Sequence, residues 1–401
     1  MPSQNRKRLL VLTSTFPRWE GDNEPPFVFE LCRRLCSDFE VHVLAPHAPG
    51  AKKCATLSGI TVVRFKYFFE WGESLAYQGG ILANLRRTPL CFLLVPFFLI
   101  FQLVALLRLL NRERFDIIHA HWLIPQGIVA VIAGLFSSKF PVLLCTAHGS
   151  DLHGLRGTFF SAIKRLVIHR CDALSTVSLS MKTRALSLGA RLGNTSVISM
   201  GVDTTDTFTP SLNTTRLNNE IIFVGRLSAQ KGLESLIRSM SDVAAIYPDC
   251  KLKVIGQGPE TTYFHALSET LGLAQNIEFL GAIANGQLPE FYRKATMLIF
   301  PSLNEEGFGL VCVEALACEC PVIAADLPAT REIVMDGKTG MVFRQGDSAD
   351  LSRKILTLLA EPSLRKSMGE AGRRYVAQRF DWQIITRSYR DLLDNTIQRK
   401  I

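Results

Sequence analysis

The ten cysteines of this 401-residue chain never form two pairs at the spacing of a zinc site. Cys318 and Cys320 make one C-x-C, and Cys32 and Cys36 sit at helical spacing, each without a second pair. That pattern excludes a zinc finger or ribbon. Others, such as Cys91, Cys145 and Cys312, lie inside apolar runs, as the reduced, buried thiols of a cytosolic protein do. The sequence also lacks a low-complexity tail and any repeat at a fixed period, which excludes the disordered and solenoid classes. No signal segment is expected: Arg6, Lys7 and Arg8 precede only the short apolar run 9–12, which reads as a first β-strand. Long hydrophobic runs are equally scarce. The one serious membrane candidate is residues 90–107, apolar except for Pro96 and Gln102 and flanked by Arg86, Arg87 and Arg108. Its length is marginal for a bilayer span, and the strands on both sides must join one sheet, so a buried or interfacial helix is expected.

Hydrophobic residues make up 47% of the chain and charged residues 20%, an ordinary globular balance. The length suits two domains of about 200 residues. The formal charge of +9 is unevenly spread: residues 1–200 hold 23 Lys and Arg against 12 Asp and Glu, while the remainder holds 22 against 24. An anionic membrane surface or a nucleic acid would attract such a basic half. Nucleic acid is not expected as a partner, because no recognition module is present and the basic residues are dispersed rather than interleaved with aromatics.

Short β-rich runs alternate with helical patterns almost throughout. In the first half, strands are expected near 8–13, 41–45, 62–65, 117–120, 142–146, 173–176 and 196–199, with helices near 27–37, 80–110, 126–136, 158–170 and 179–188. Residues 200–219, rich in Thr, Asn, Asp and Pro, break this rhythm and read as irregular connection. Strands restart near 221–224, 253–255, 277–280, 297–300 and 322–324, and helical patterns run from residue 350 to the end. The expectation is α/β: an N-terminal domain over 1–200, a linker over 201–219, a second domain over 220–378, and a last helix over 379–401 packing back on the first domain. Each domain would be a doubly wound parallel sheet covered on both faces, with ligands at the carboxyl ends of the strands and a cleft between the domains.

Three strand–loop–helix turns carry the chemistry. Around residues 301–317 a strand ends at Pro301, a glycine-containing loop follows, and a helix is expected from near Gly309. Backbone N–H groups and the positive helix end would there face an anion. Glu306 precedes that helix and Glu314 lies inside it, ~12 Å apart if helical rise applied throughout. That is wider than the ~5–9.5 Å of hydrolytic carboxylate pairs, and suits two handholds on one long ligand. Upstream, Gly225-Arg226 and Lys231-Gly232 flank a turn where permanent positive charges can hold a diphosphate. Gly256-Gln257-Gly258-Pro259 forms a third turn but lacks the third glycine of a dinucleotide fingerprint.

Taken together, Gly225-Arg226 with Lys231-Gly232, Gly256-x-Gly258-Pro259, and Glu306-Gly-Phe-Gly followed by Glu314-Ala-x-Ala-Cys318-x-x-Pro321 resemble glycosyltransferase family 4. In the first half, Asp116-Ile-Ile-His119-Ala-His121-Trp122 and Thr146-Ala-His148-Gly149-Ser-Asp151 also look like segments of that family, so the resemblance covers essentially the whole chain. It implies the GT-B fold, two Rossmann-like domains facing a central cleft, and transfer of a sugar from a nucleotide-sugar donor with retention of configuration. It implies that Arg226 and Lys231 bind the donor diphosphate and Glu314 the ribose hydroxyls. Glu306, with the backbone of Gly307, Phe308, Gly309 and Leu310, would hold the transferred sugar. His148 would approach that sugar from the opposing domain, a satisfied strand-end histidine being the bland alternative. His119 and His121 would shape the cleft. Gly256 and the backbone near Gly281, Ala282 and Ile283 would border the donor and its base.

Two departures from the family pattern stand out. Many relatives carry paired glycines after the first strand, where this chain has Phe16-Pro17-Arg18-Trp19-Glu20-Gly21-Asp22. Relatives also often carry glycine where Glu319 stands, so the freedom of a positive φ is given up there. No Asp-x-Asp pair occurs that would place a divalent cation on the diphosphate, and no cofactor and no obligatory metal are expected. The resemblance makes a lipid-linked or other glycan a plausible acceptor, in cell-surface polysaccharide assembly, with the protein cytoplasmic and peripheral on the inner face of the cell membrane. Two alternatives remain open at this point: a catalytically silent membrane-associated scaffold of glycan assembly, and a nucleotide-sugar epimerase.

Overall fold

The computed structural model describes residues 6–22, 26–77, 79–137, 139–211, 216–304 and 306–399. The chain divides into two compact units, one of residues 1–199 with 385–401 and one of residues 200–384.

The first unit is built on eight strands: β1 (Lys7–Leu12), β2 (Phe39–Pro46), β3 (Cys54–Leu57), β4 (Ile60–Phe65), β5 (Ile117–His121), β6 (Val142–Ala147), β7 (Ala173–Thr176) and β8 (Thr195–Val197). Their order is β3-β4-β2-β1-β5-β6-β7-β8, parallel except for the antiparallel β3–β4 pair. Runs such as Ile117–His121 and Val142–Ala147 are buried at every residue, as strands covered on both faces must be. β3 has no sequence forecast, because it is an edge strand with no buried residue. The winding direction reverses between β1 and β5, so the loops after β1, β5 and β6 gather near one crevice of this unit.

The helix expected over 80–110 is instead three pieces: Ile81–Arg87, the 3-10 turn Pro89–Leu93, and Leu94–Arg112. The break lies at Thr88, whose φ of −135° and ψ of 95° are the extended values that a following proline imposes. Only Phe98, Gln102 and Leu106 of the long piece are buried. The last helix spans Trp382–Gln398, and Ile385, Tyr389, Leu393 and Ile397 form its buried stripe. Lys7 anchors it to β1 through Asp394 at 2.7 Å.

The second unit holds β9 (Glu220–Val224), β10 (Lys251–Ile255), β11 (Ile277–Gly281), β12 (Met297–Phe300), β13 (Val322–Ala325) and β14 (Gly340–Phe343). All pair in parallel in the order β11-β10-β9-β12-β13-β14. Its core runs through Phe223, Ile237, Val254, Ile299 and Phe343. The described residues of the expected linker, 201–211 and 216–219, belong to this unit rather than standing free. Val202 bridges to Asp381, and arginine side chains take up the carbonyls of the irregular segment: Arg373 those of Thr204 and Phe208, Arg293 those of Thr207 and Thr209. Three long guanidinium groups, with Arg216 donating to the Tyr292 and Cys318 carbonyls, replace a regular ladder here. Residues 212–215 lie outside the described residues.

Candidate functional site

In the second unit the winding reverses between β9 and β12, so the loops after these two strands border the crevice where α/β sheets bind ligands. Those loops are 225–232 and 301–309, the two that the sequence marks for chemistry. Lys231 closes the first and Glu306 stands in the second. The Lys231 Nζ lies 2.7 Å from Glu306 Oε1, which also accepts the Ser302 hydroxyl at 2.6 Å. The Ser302 Oγ, its one proton on Glu306, also lies 3.2 Å from the Gln230 carbonyl oxygen, and the Leu303 N–H donates to that carbonyl at 2.9 Å. Two segments about 75 residues apart are thereby held edge to edge.

Glycine is required where they touch. Gly232 has φ +68°, and a Cβ there would sit 1.9 Å from the Pro301 carbonyl oxygen. At Gly256, φ +137°, a Cβ would meet the Gly225 oxygen at 1.8 Å. Any side chain at either position would push the turns apart. The helix after the second loop starts at Leu310, with Gly309 as its cap, one residue later than expected. Glu306 therefore lies outside the helix, and the helical rise does not set its separation from Glu314. At the start of this helix the Cys312 and Val313 N–H groups fold back onto the Gly309 carbonyl at 3.0 and 3.4 Å. The Phe308 side chain is buried against Phe380 at 5.3 Å between ring centroids, so Phe308 can offer a ligand only its backbone. Gly307 and Leu310 are half-buried beside it, and Arg226 is half-buried at the first turn.

Glu314 sits on the helix Leu310–Ala317 and is 6% exposed. Asn285 Nδ2 donates to one of its oxygens and the Tyr292 hydroxyl to the other, both at 3.0 Å. Burial pushes its carboxyl above the ordinary value, while these two donors pull it back. Each oxygen retains a free lone pair for a ligand hydroxyl. Asn285 and Tyr292 carry no mark in the sequence: one lies in a short turn, and the other looks like a core aromatic of the helix Leu288–Lys294. Ile283 is half-buried in the segment leading to Asn285, beyond Gly281, whose carbonyl accepts the Gly256 N–H at 2.7 Å.

The first unit brings three of its histidines, His119, His121 and His148, together at the carboxyl ends of β5 and β6. His119 Nε2 is 2.7 Å from Thr146 Oγ1, which is 2.5 Å from Ser175 Oγ, and the Tyr389 ring of the last helix lies 5.5 Å from His119. His121 Nδ1 and His148 Nε2 are 2.9 Å apart, so one ring donates to the other. His148 is enclosed by Phe27, Trp122 and His121 and retains only partial exposure. Burial holds all three imidazoles neutral, with His119 and His148 pushed down to about 3. The loop behind His148 is fixed by the buried Asp151, which accepts the N–H groups of Leu123, His148 and Gly149 at 2.8, 3.2 and 3.1 Å. Burial raises the Asp151 carboxyl, and these donors oppose the shift. Among the described residues, no group of three or more His, Cys, Asp or Glu side chains is placed to hold a metal ion.

The geometry can be set beside known proteins. Residues 26–206 match the sequence model of Glycosyltransferase Family 4, and residues 206–375 match that of Glycosyl transferases group 1. An uncharacterized glycosyltransferase of Methanocaldococcus jannaschii is 30% identical over 289 residues, 69% of this chain and 74% of that protein. A phosphatidyl-myo-inositol mannosyltransferase of Mycobacterium leprae is 29% identical over 284 residues, 69% of this chain and 73% of that protein. Among solved structures, HepE of Anabaena in complex with UDP-glucose is similar with a TM-score of 0.75 at 19% identity, covering 97% of this chain and 99% of that one. The two parallel α/β sheets are those of the GT-B fold, and the paired crevice loops of the second unit sit within the matched region. The chain is a glycosyltransferase belonging to glycosyltransferase family 4.

Proposed function

We propose that the enzyme moves a sugar, with retention of configuration, from a nucleotide-sugar donor to a hydroxyl of a lipid-linked glycan in cell-surface polysaccharide assembly. The observation that carries the donor half of this reading is the Lys231–Glu306 pair, held between the two loops at the reversal of the second sheet. In this reading Arg226 and Lys231 take the donor diphosphate, and Glu306 releases Lys231 to it while receiving a hydroxyl of the transferred sugar. The backbone of Gly307, Phe308, Gly309 and Leu310 lines the same sugar. Glu314 accepts from the ribose hydroxyls, held in place by Asn285 and Tyr292. His148, neutral through burial, acts as a hydrogen-bonding group rather than as a cation.

As the glycosidic bond to the diphosphate breaks, negative charge grows on the leaving oxygen, and fixed cations favour that state over the ground state. The acceptor hydroxyl attacks from the face the diphosphate leaves, and its proton passes to the departing phosphate. No carboxylate nucleophile and no metal enter this scheme. The Mycobacterium leprae relative, named for a phosphatidylinositol acceptor, supports a lipid-borne acceptor, and the basic first half supports a peripheral place on the inner face of the membrane.

A panel of nucleotide sugars, scored first by thermal stabilisation and then by product analysis with lipid-linked acceptors, tests this reading. One donor should stabilise the protein, and the product should keep the donor's anomeric configuration by NMR. An inverted product would refute retention, and a donor sugar altered without any acceptor would favour an epimerase.

A further inference from the structure

The helix Leu94–Arg112 is apolar over most of its surface, yet only one stripe of it is buried in the fold. Phe98, Gln102 and Leu106 face inward, and Phe98 packs edge-on against Phe65 of β4 and Tyr67, at 5.1 and 5.2 Å between ring centroids. This stripe ties the helix to the sheet and is incompatible with the helix leaving to span a bilayer, although Pro89–Arg112 is long enough to do so and an 18-residue stretch of it has a mean hydropathy of 2.8. A different face, through Leu93, Phe97 and Phe101, stands in solvent at 68, 46 and 45% exposure. Helical geometry puts Arg108 at nearly the same azimuth as Phe97, ~16 Å further along.

A second segment joins this face. Phe69 and Trp71 are stacked 6.3 Å apart at 70 and 84% exposure, and Phe68 links them to Phe97 through ring contacts of 5.4, 5.8 and 6.1 Å. Leu90 and Phe92, in the 3-10 turn leading into the helix, add 74 and 61% exposure. A contiguous apolar face of this kind marks an interaction surface. Charge identifies the partner. Residues 74–112 contain Arg86, Arg87, Arg108 and Arg112 and not one Asp or Glu, and all four arginines are exposed. The carboxylate nearest the tip, Glu70, is taken up by Lys66 at 3.0 Å and the Gly50 N–H at 3.2 Å. Exposed Trp and Phe at the tip, with arginines at both ends, match a leaflet with an apolar interior and anionic headgroups.

We propose that Phe69, Trp71, Leu90, Phe92 and Phe97 form a wedge that inserts into an anionic bilayer leaflet, with the flanking arginines on the headgroups. This deepens the peripheral membrane placement proposed above and rests on it. The consequence is a contact whose larger part is apolar, so that it outlasts the screening of its charges.

The test uses the full chain with vesicles of zwitterionic lipid alone and with about one third anionic lipid, at about 0.1 M and about 1 M salt, where the Debye length falls from ~10 to ~3 Å. Wild type should bind the anionic vesicles and retain a measurable part of that binding at the higher salt. Phe69→Ser with Trp71→Ser should weaken partitioning about tenfold or more, whereas Trp71→Phe should stay within about threefold. Brominated lipids should quench wild-type fluorescence, and Trp71→Phe should lose most of that quenching. If the first pair does not fold, Leu90→Ser with Phe92→Ser samples the same surface. Unchanged binding by the serine variants, or complete release of wild type at high salt, would overturn the wedge. So would a wild-type dimer in sedimentation that these substitutions turn into a monomer, since the face would then meet a second copy. Thermal stabilisation by nucleotide sugars, a property of the second unit, is scored in the same samples. Its failure alone would refute the donor reading and leave the wedge standing.

Discussion

Truncating Lys231 to alanine separates what the ammonium does for the fold from what it does for the reaction. It removes the partner 2.7 Å from Glu306 and leaves that carboxylate with the Ser302 hydroxyl, 2.6 Å away. The two charged side chains are 30 and 20% exposed, so solvent screens part of the loss. The stability cost should be about 1–3 kcal/mol, below the ~3–5 kcal/mol of a fully buried pair. The reaction should suffer more. If Lys231 stabilises charge that grows on the leaving diphosphate, kcat should fall on the order of 10²-fold or more. Adding Glu306→Gln to Lys231→Ala removes the uncompensated carboxylate, so much of the stability should return while the rate does not. Urea unfolding and steady-state kinetics on wild type, Lys231→Ala, Glu306→Gln and the double variant distinguish the two effects. A Lys231→Ala enzyme with near-normal kcat and only a raised donor KM would refute the leaving-group role and leave uniform binding in its place.

Further outcomes follow from other parts of the structure. Glu314→Ala should weaken donor affinity by about 1.5–3 kcal/mol through lost charge-assisted bonds, with Tyr292→Phe showing a smaller effect of the same sign; unchanged affinity in calorimetry would remove the ribose assignment. His119 and His148 are held neutral with pKa values pushed from 6.5 to about 3, so below pH 6.5 the unfolded chain binds protons that the native state does not. Their contribution is complete above that pH and declines as pH falls, by about 1.4 kcal/mol per unit for each histidine. In urea unfolding from pH 7 down to 5, His119→Asn should flatten the slope by about one proton, and an unaltered slope would contradict the burial argument. Glu319 adopts φ +59°, a left-handed conformation costly to a residue with a Cβ. Glu319→Gly should therefore stabilise the protein by about 0.5–1 kcal/mol in calorimetric melting, and a loss of stability would show that the side chain makes compensating contacts.

The GT-B architecture is legible because its strands are short apolar runs buried on both faces, and such runs alternate visibly with helical patterns. β3 escapes notice because an exposed edge strand has no apolar run to display, and β14 because it is four residues opening with a glycine. Residues 200–211 read as a linker for a similar reason. Their carbonyls are satisfied by the side chains of Arg293 and Arg373, which come from distant parts of the chain and leave no local periodicity. At the site, the turns around Lys231 and Glu306 stand out because each follows a strand and carries glycine. Their direct ion pair does not, since it depends on which two strands become neighbours at the reversal of the sheet. Asn285 and Tyr292 are invisible for the same cause: only the packing of the helix Leu288–Lys294 against the helix Leu310–Ala317 brings them to Glu314. The exposed face of the Leu94–Arg112 helix also lay beyond the sequence, because apolar composition does not reveal which side of a helix the sheet will use.

Transfer of radiolabelled sugar from a nucleotide donor into a lipid-extractable product tests the central claim most directly. Wild-type protein should move label from one donor of the panel into the organic phase, and Glu306→Gln, checked to be folded at the assay temperature, should move almost none. Equal transfer by the Glu306→Gln enzyme would contradict a donor site built on the Lys231–Glu306 crevice, and no transfer by wild type from any donor to any lipid-linked acceptor would contradict the lipid-linked acceptor.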